Sequence, residues 1–155
     1  MMKRNRQRGA VAIEFVLLFP ILFLLFYAIV NYGLIFAAAQ YMQYSAEEGL
    51  RRSISYVDES CLYSDTGCTS ANVRQEVLDQ TRTVLGNVAS GSSSTSLGSL
   101  FGQPLDSALA ISAQDDASGN CCVLSLTYNY TDFPFVPPLM LPVPAQLSIT
   151  ANLDL

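Results

Sequence analysis

One carboxylate, Glu14, lies at the start of a long apolar run. From Phe15 to Ala46 the chain has no Asp, Glu, Lys or Arg. A carboxylate at the edge of hydrocarbon costs a few kcal/mol unless it reaches the lipid headgroups or pairs with a positive charge. Glu14 is therefore a candidate for ion pairing at a membrane boundary, with simple contact to the headgroups as the alternative.

Four cysteines offer a second kind of chemistry, disulfide formation. They all follow the apolar run, at Cys61, Cys68, Cys121 and Cys122. An even number in a small exported domain favours disulfides over a zinc site. A bond between the adjacent Cys121 and Cys122 is disfavoured, because neighbouring Cβ atoms on a strand point to opposite faces. We therefore expect Cys61 and Cys68 each to be joined to one of the other two cysteines.

The sequence contains no recognisable catalytic set. Histidine, the commonest general base and metal ligand, is absent. There is no Gly-x-Ser-x-Gly motif and no pair of acids in an apolar setting. Beyond residue 8 the chain has four basic against 13 acidic residues, which leaves no basic surface for nucleic acid. We predict no enzymatic activity, no metal, no cofactor and no nucleic-acid partner.

The apolar run has the length of a membrane span. About 20 apolar residues cross a bilayer core of roughly 30 Å, and from Phe15 to Val30 only Pro20 interrupts the run. Four basic residues precede it, at Lys3, Arg4, Arg6 and Arg8. Basic residues beside a first span hold that end in the cytoplasm. We therefore expect a transmembrane segment at about residues 15–36, with the C-terminal part on the far side of the membrane.

The helical pattern continues beyond the span. Apolar residues recur at spacings of three and four, at Met42, Ala46, Leu50, Ile54 and Val57. Glu47 and Glu48 precede Arg51 and Arg52 by four residues each, the spacing of ion pairs along a helix. We predict one helix over residues 10–57, half in lipid and half a packing spine. The alternative is an anchor and a separate stalk helix, with a break at Gly33 or Gly49.

Residues 58–155 are predicted to form one small exported α+β domain. Asn72 can cap a second helix that runs to Val88, and residues 89–96 then resemble a flexible connector. Strict alternation of apolar and polar residues predicts half-buried strands at 121–130 and 145–155, with a weaker strand at 108–113. The expected fold class is α+β: a long N-terminal helix packed on a small antiparallel sheet with one additional helix.

A proline-rich apolar segment separates the two clear strands, at residues 133–144. Proline has no amide hydrogen to donate, so this segment cannot be a central strand. It either folds over the core of the domain or forms a contact surface for another subunit.

The first third of the chain carries a set of motifs. Residues 8–15 read Arg-Gly-Ala-Val-Ala-Ile-Glu-Phe and are followed by Val-Leu-Leu-Phe-Pro; Asn31-Tyr32-Gly33 and the Ala-Glu-Glu-Gly-Leu-Arg-Arg stretch at 46–52 come later. Together with the basic leader and the apolar run, these residues resemble the TadE-like family. Its members are minor pseudopilins of the bacterial tight-adherence (Tad) apparatus, which assembles Flp-type type IVc pili.

This resemblance implies a processing step and a set of partners. A prepilin peptidase would cut after Gly9, so that residues 1–9 are a leader and Ala10 is the first mature residue. Glu14 and Phe15 would act in assembly. The partners would be other pilin and pseudopilin subunits, the peptidase, the inner-membrane assembly platform and membrane lipid. The protein would cross the inner membrane once, with its C-terminal domain in the periplasm or, after assembly, in the extracellular pilus.

Two other interpretations use the same apolar run. In the first, Ala37-Ala38-Ala39 before Gln40 is a signal-peptidase site, and a small disulfide-bonded domain with a binding role is secreted. The run before that site is much longer than the usual stretch of about 7–15 residues, and Glu14 has no role in it. In the second, the helix anchors an exported binding domain or enzyme in the membrane.

Overall fold

The computed structural model describes residues 8–63, 69–89, 91–92, 96–115, 121–139 and 141–152, without the side chains of residues 8–10 and 56–63. Three helices are present in this part of the chain: α1 (Arg8–Tyr63), α2 (Ser70–Val88) and the short α3 (Leu105–Ala108). The strands are β1 (Ser99–Leu100), β2 (Gln103–Pro104), β3 (Leu109–Asp115), β4 (Cys121–Asn129) and β5 (Gln146–Asn152). The predicted α+β class is confirmed.

Helix α1 is one continuous element of 56 residues that includes Pro20. At about 1.5 Å per residue it is roughly 84 Å long. It passes through Gly33 and Gly49 without a break, so the alternative of two separate helices is wrong. A proline inside a helix removes one backbone hydrogen bond, a loss that membrane helices tolerate.

The main sheet has three antiparallel strands in the order β3-β4-β5. The central strand β4 alternates strictly between half-buried and buried positions, as predicted. Its buried side chains are Cys122, Leu124, Leu126 and Tyr128. On either side Leu126 is paired with Ile111 of β3 and with Ile149 of β5. The alternation therefore turns one face of β4 toward the helices and builds the core there.

Helices α1 and α2 pack antiparallel through small side chains. The Tyr41 hydroxyl of α1 donates to the Leu85 carbonyl near the end of α2, and Gly49 lies against Thr81, further back along α2. The facing surface of α1 is fully buried at Ser45 and Ala46. Small residues allow two helix backbones to approach closely, so the distance between α1 and α2 is short at this contact.

The start of α2 differs from the sequence prediction. Thr69, not Asn72, is the N-cap: the Thr69 side chain accepts a hydrogen bond from the Asn72 amide at 3.3 Å. Thr is itself a good N-cap residue, and its side-chain oxygen satisfies one of the free amides of the first turn. Asn72 therefore lies inside the helix. Part of the predicted connector, at residues 90 and 93–95, is outside the described residues.

The cysteine pairing also differs from the prediction. Cys121 and Cys122 are bonded to each other. Their peptide bond is cis, and their Cα atoms are 3.1 Å apart. The expected cross-links from Cys61 and Cys68 to these residues are therefore wrong in this structure. The side chain of Cys61 and the whole of Cys68 lie outside the described part of the chain.

Candidate assembly site

The apolar stretch of α1 from Val11 to Phe26 is exposed on every side. Each described side chain from Val11 to Phe26 is exposed, including Glu14 and Phe15. By length and composition α1 can cross a membrane, with a mean hydropathy of 2.6 in its apolar stretch. A helix that is apolar all round is stable only when lipid or other helices cover it. This stretch of α1 can therefore be covered by lipid or by other helices, and it suggests membrane anchoring.

Glu14 is the only charged residue between Val11 and Ala46. Among the described side chains none forms an ion pair or hydrogen bond with it. Gly9 and Ala10 lie in the first turn of the same helix, where the structure describes the backbone alone. Ala10 precedes Glu14 by four residues, a rise of about 6 Å. An ammonium group at Ala10 would thus lie one helical turn from the carboxylate.

An aromatic stripe follows Glu14 along the helix. The rings of Phe15 and Phe19 have their centroids 5.7 Å apart, and those of Phe19 and Phe23 are 6.1 Å apart. Residues four apart lie on one helix face, so the three rings form a continuous ridge. The sequence analysis selected Phe15 but not the other two. Their i, i+4 spacing was the signal that could have identified them.

Asn31 joins α1 to the end of the sheet. This side chain is fully buried, and its Oδ1 accepts a hydrogen bond of 2.9 Å from the Tyr130 hydroxyl at the end of β4. Burial raises the pKa of Tyr130, because the phenolate would lose hydration there. The next buried positions on α1 are Ile35 and Ala38. The base of the domain therefore contacts α1 about 20 residues, or roughly 30 Å, after Val11.

The segment at residues 133–144 folds back onto this base. Phe135 packs its ring 5.1 Å from Tyr128 and 5.3 Å from Tyr130. The Tyr128 hydroxyl donates to the Phe133 carbonyl at 2.8 Å. Phe133 and Val143 are partly buried against the core, as one of the two predicted alternatives requires. The exposed residues of the segment include Pro137 and Leu139.

Two tyrosines of α1 hold the same segment from the other side. The Tyr27 hydroxyl donates to the Pro137 carbonyl, and the Tyr32 hydroxyl donates to the Pro142 carbonyl at 2.7 Å. Each contact joins residues 110 positions apart in the chain. Tyr32 belongs to the Asn31-Tyr32-Gly33 motif, but the sequence predicted a contact for neither tyrosine, since nothing in their local spacing distinguishes them from other apolar helix residues.

A charge cluster lies on the outer half of α1. The Glu48 carboxylate accepts hydrogen bonds from Arg51 at 2.8 Å and from Arg52 at 2.9 Å. The bonds to Arg51 and then Arg52 lower the pKa of Glu48 to about 2. Glu47 instead accepts a bond from Gln43 at 3.1 Å, so the predicted pairing of Glu47 with Arg51 is wrong. Arg51 pairs with Glu48 instead, at the i, i+3 spacing that also places two residues on one helix face.

A groove of 790 Å³ lies between α2 and β3. Its lining includes Asp79, Arg82 and Asp106, and Asp79 is 3.4 Å from Arg82. Within the described ranges, no group of His, Cys, Asp and Glu is placed to hold a metal ion. The groove is thus a polar surface feature. The exposed apolar surface that contains a single charge, Glu14, is on α1.

Fold and site together define an α+β protein with one apolar N-terminal helix suited to membrane anchoring. The model of the TadE-like protein family matches residues 9–51. That match covers α1 from its second residue to the spine and confirms the resemblance drawn from the motif residues; α2 and the sheet lie outside it. The family suggests a protein associated with the Tad pilus. Comparisons with curated proteins and with solved structures gave no match.

Proposed function

We propose that this protein is a minor pilin (pseudopilin) that inserts in the inner membrane, is processed after Gly9 and supports the assembly or priming of a Tad pilus. The observation that carries the proposal is the exposed apolar stretch of α1 from Val11 to Phe26, in which Glu14 is the only charge. Its function is helix packing rather than chemistry. The TadE-like family is not known for enzymatic activity.

Processing would change the charges that hold α1 in place. A cut after Gly9 removes the basic residues at positions 3–8 and creates an ammonium group at Ala10. That group pairs with Glu14 of the same helix or of a neighbouring subunit. A pair costs less in lipid than a lone carboxylate, so the pair sets the axial position of one helix against the next.

The apolar surface around Glu14 would supply the rest of the contact. The ridge of Phe15, Phe19 and Phe23 offers large rings to a neighbouring helix. Aromatic rings add about 0.5–1.5 kcal/mol per pair beyond their buried area. The same surface faces lipid before assembly, which is compatible with a subunit that waits in the inner membrane beside an assembly platform.

Three buried side chains of α1 that precede Gln40 argue against a secreted domain released at that residue. Asn31, Ile35 and Ala38 are all buried against the domain. Cleavage at the Ala37-Ala38-Ala39 stretch would remove these residues from the base of the core. The domain would then expose Tyr130, which is 1% exposed in the intact chain.

The N-terminal residue of the mature protein tests the proposal. We expect intact-mass analysis of the protein purified from membranes to give Ala10 as the first residue. A chain that begins at Gln40 would indicate a secreted domain. A chain that begins at Met1 or Met2 would indicate a plain membrane anchor, and either result would reject the minor-pilin proposal.

A further inference from the structure

The apolar segment between β4 and β5 lies beside the outer end of the membrane span. We define the proline loop as its described residues, 133–139 and 141–144. The predicted span, at about residues 15–36, reaches the outer edge of the hydrocarbon near its last residue. Tyr27 and Tyr32 both lie before that point. The loop is bonded to both, so part of it lies at the depth of the outer leaflet.

The path of the loop supports this placement. It leaves β4 next to Tyr130, which contacts Asn31, and reaches Pro137 at the level of Tyr27. It returns through Pro142 at the level of Tyr32. Side chains of a helix tilt toward its N-terminus, so the Tyr27 hydroxyl lies on the membrane side of its own Cα. The tip of the loop is therefore deeper than its two ends.

The chemistry of the loop suits hydrocarbon. From Phe133 to Asn152 the chain has no Asp, Glu, Lys or Arg. The loop contains five prolines, at Pro134, Pro137, Pro138, Pro142 and Pro144. Each proline lacks the backbone N–H that would be costly to bury in lipid without a partner. Four of the loop carbonyls accept side-chain hydrogen bonds, at Phe133, Pro134, Pro137 and Pro142.

We propose that the proline loop inserts into the outer leaflet of the membrane beside α1. The exported domain then contacts the bilayer through both α1 and the loop. This inference depends on the membrane orientation given in the proposed function. The partner is the acyl region of the bilayer, which is recognised by apolar contact and not by charge. Leu139, which is 52% exposed, is the largest exposed side chain at the tip among the described loop residues.

Tryptophan fluorescence can test this insertion, because the chain contains no Trp. The full-length variant Leu139→Trp is reconstituted in lipid nanodiscs made with phosphatidylcholine brominated along its acyl chains, which quenches nearby indole rings. Phe23→Trp, inside the span, is the quenched reference. Ile54→Trp is the reference outside the membrane, since Ile54 lies roughly 33 Å beyond Tyr32 along α1.

We expect Leu139→Trp to lose most of its emission in brominated lipid, as Phe23→Trp does, while Ile54→Trp keeps its emission. Quenching of Leu139→Trp no greater than that of Ile54→Trp would overturn the inference and leave the proposed function intact. Blue-shifted but unquenched emission would assign the loop to a protein contact and would also overturn it. If brominated lipid did not quench Phe23→Trp, the apolar stretch of α1 would not lie in the membrane, and both proposals would be rejected.

A second probe covers the case in which Leu139→Trp does not fold. Pro138→Trp places the indole at the neighbouring exposed position. Far-ultraviolet circular dichroism of each variant confirms that the helices are retained before quenching is compared. Agreement of the folded loop variant with Phe23→Trp supports insertion, and agreement with Ile54→Trp rejects it.

Discussion

Gly49 of α1 lies directly against Thr81 of α2, so closely that a Cβ on Gly49 would be 2.9 Å from the Thr81 Cα. Thr81 is fully buried, and its hydroxyl donates to the Val77 carbonyl at 2.7 Å. Because the atom in the way belongs to the backbone, rotation of a side chain cannot make room. The absence of a side chain at Gly49 therefore sets the distance between the spine and the second helix.

Replacement of Gly49 should force these helices apart. We expect Gly49→Ala to lower the free energy of unfolding by about 1–3 kcal/mol, the usual cost of an overpacked contact. Thermal unfolding of the purified full chain in detergent, followed by circular dichroism, measures the change. The matched control is Gly33→Ala in the same helix, where a new Cβ meets no atom within 4 Å. Equal stability of the two variants would contradict the close contact.

The Glu48 cluster should make stability depend on pH. The pKa of Glu48 is lowered from 4.5 to about 2, so its carboxylate stabilises the folded state fully above about pH 4.5. That contribution is lost as pH falls through 2 and the carboxylate takes up a proton. We expect Glu48→Gln to melt below wild type near neutral pH, with the difference in Tm shrinking as the pH approaches 2.

Glu47→Gln is the control for that measurement. Glu47 is adjacent and carries the same charge, but its hydrogen-bond partner is the neutral Gln43. Its substitution should change Tm less than Glu48→Gln does at neutral pH. Identical pH profiles for the two variants would show that the pairing of Glu48 with Arg51 and Arg52 does not contribute to stability.

Leader cleavage should depend on a small residue at position 9. A peptidase that cuts after Gly9 has to accommodate this residue beside its catalytic groups, so Gly9→Glu should leave residues 1–9 attached. Gly9→Ala is the matched control and should still be cut. Intact-mass analysis of the membrane fraction distinguishes the two products. Normal cleavage of Gly9→Glu would contradict the proposed processing site.

Glu14 should be needed for assembly but not for insertion. We expect Glu14→Ala to reach the membrane, to be cut normally or somewhat less well, and to fail to support pili in a strain that lacks the wild-type protein. Loss of the carboxylate removes the partner of the new ammonium group at Ala10. Electron microscopy measures piliation, and Glu47→Ala is the control outside the span. Wild-type piliation with Glu14→Ala would show that assembly does not need the Glu14 carboxylate, and that Glu14 only contacts the lipid headgroups.

Local patterns in the sequence were sufficient to predict the long helix α1 and the central strand β4. The uncharged run after Glu14 predicts a long apolar helix, because length and hydropathy alone determine whether a helix can cross a bilayer. The alternation at residues 121–130 predicts a half-buried strand, because side chains of a strand alternate between its faces. Both features depend on neighbours within a few positions, and both are present in α1 and β4.

The tertiary structure alone decided how these elements meet. The contacts of Tyr27 with Pro137 and of Tyr130 with Asn31 join residues 110 and 99 positions apart. The close approach of Gly49 to Thr81 depends on the register of two helices. Local spacing cannot predict such contacts, because each of them requires both partners to be already placed by the packed core.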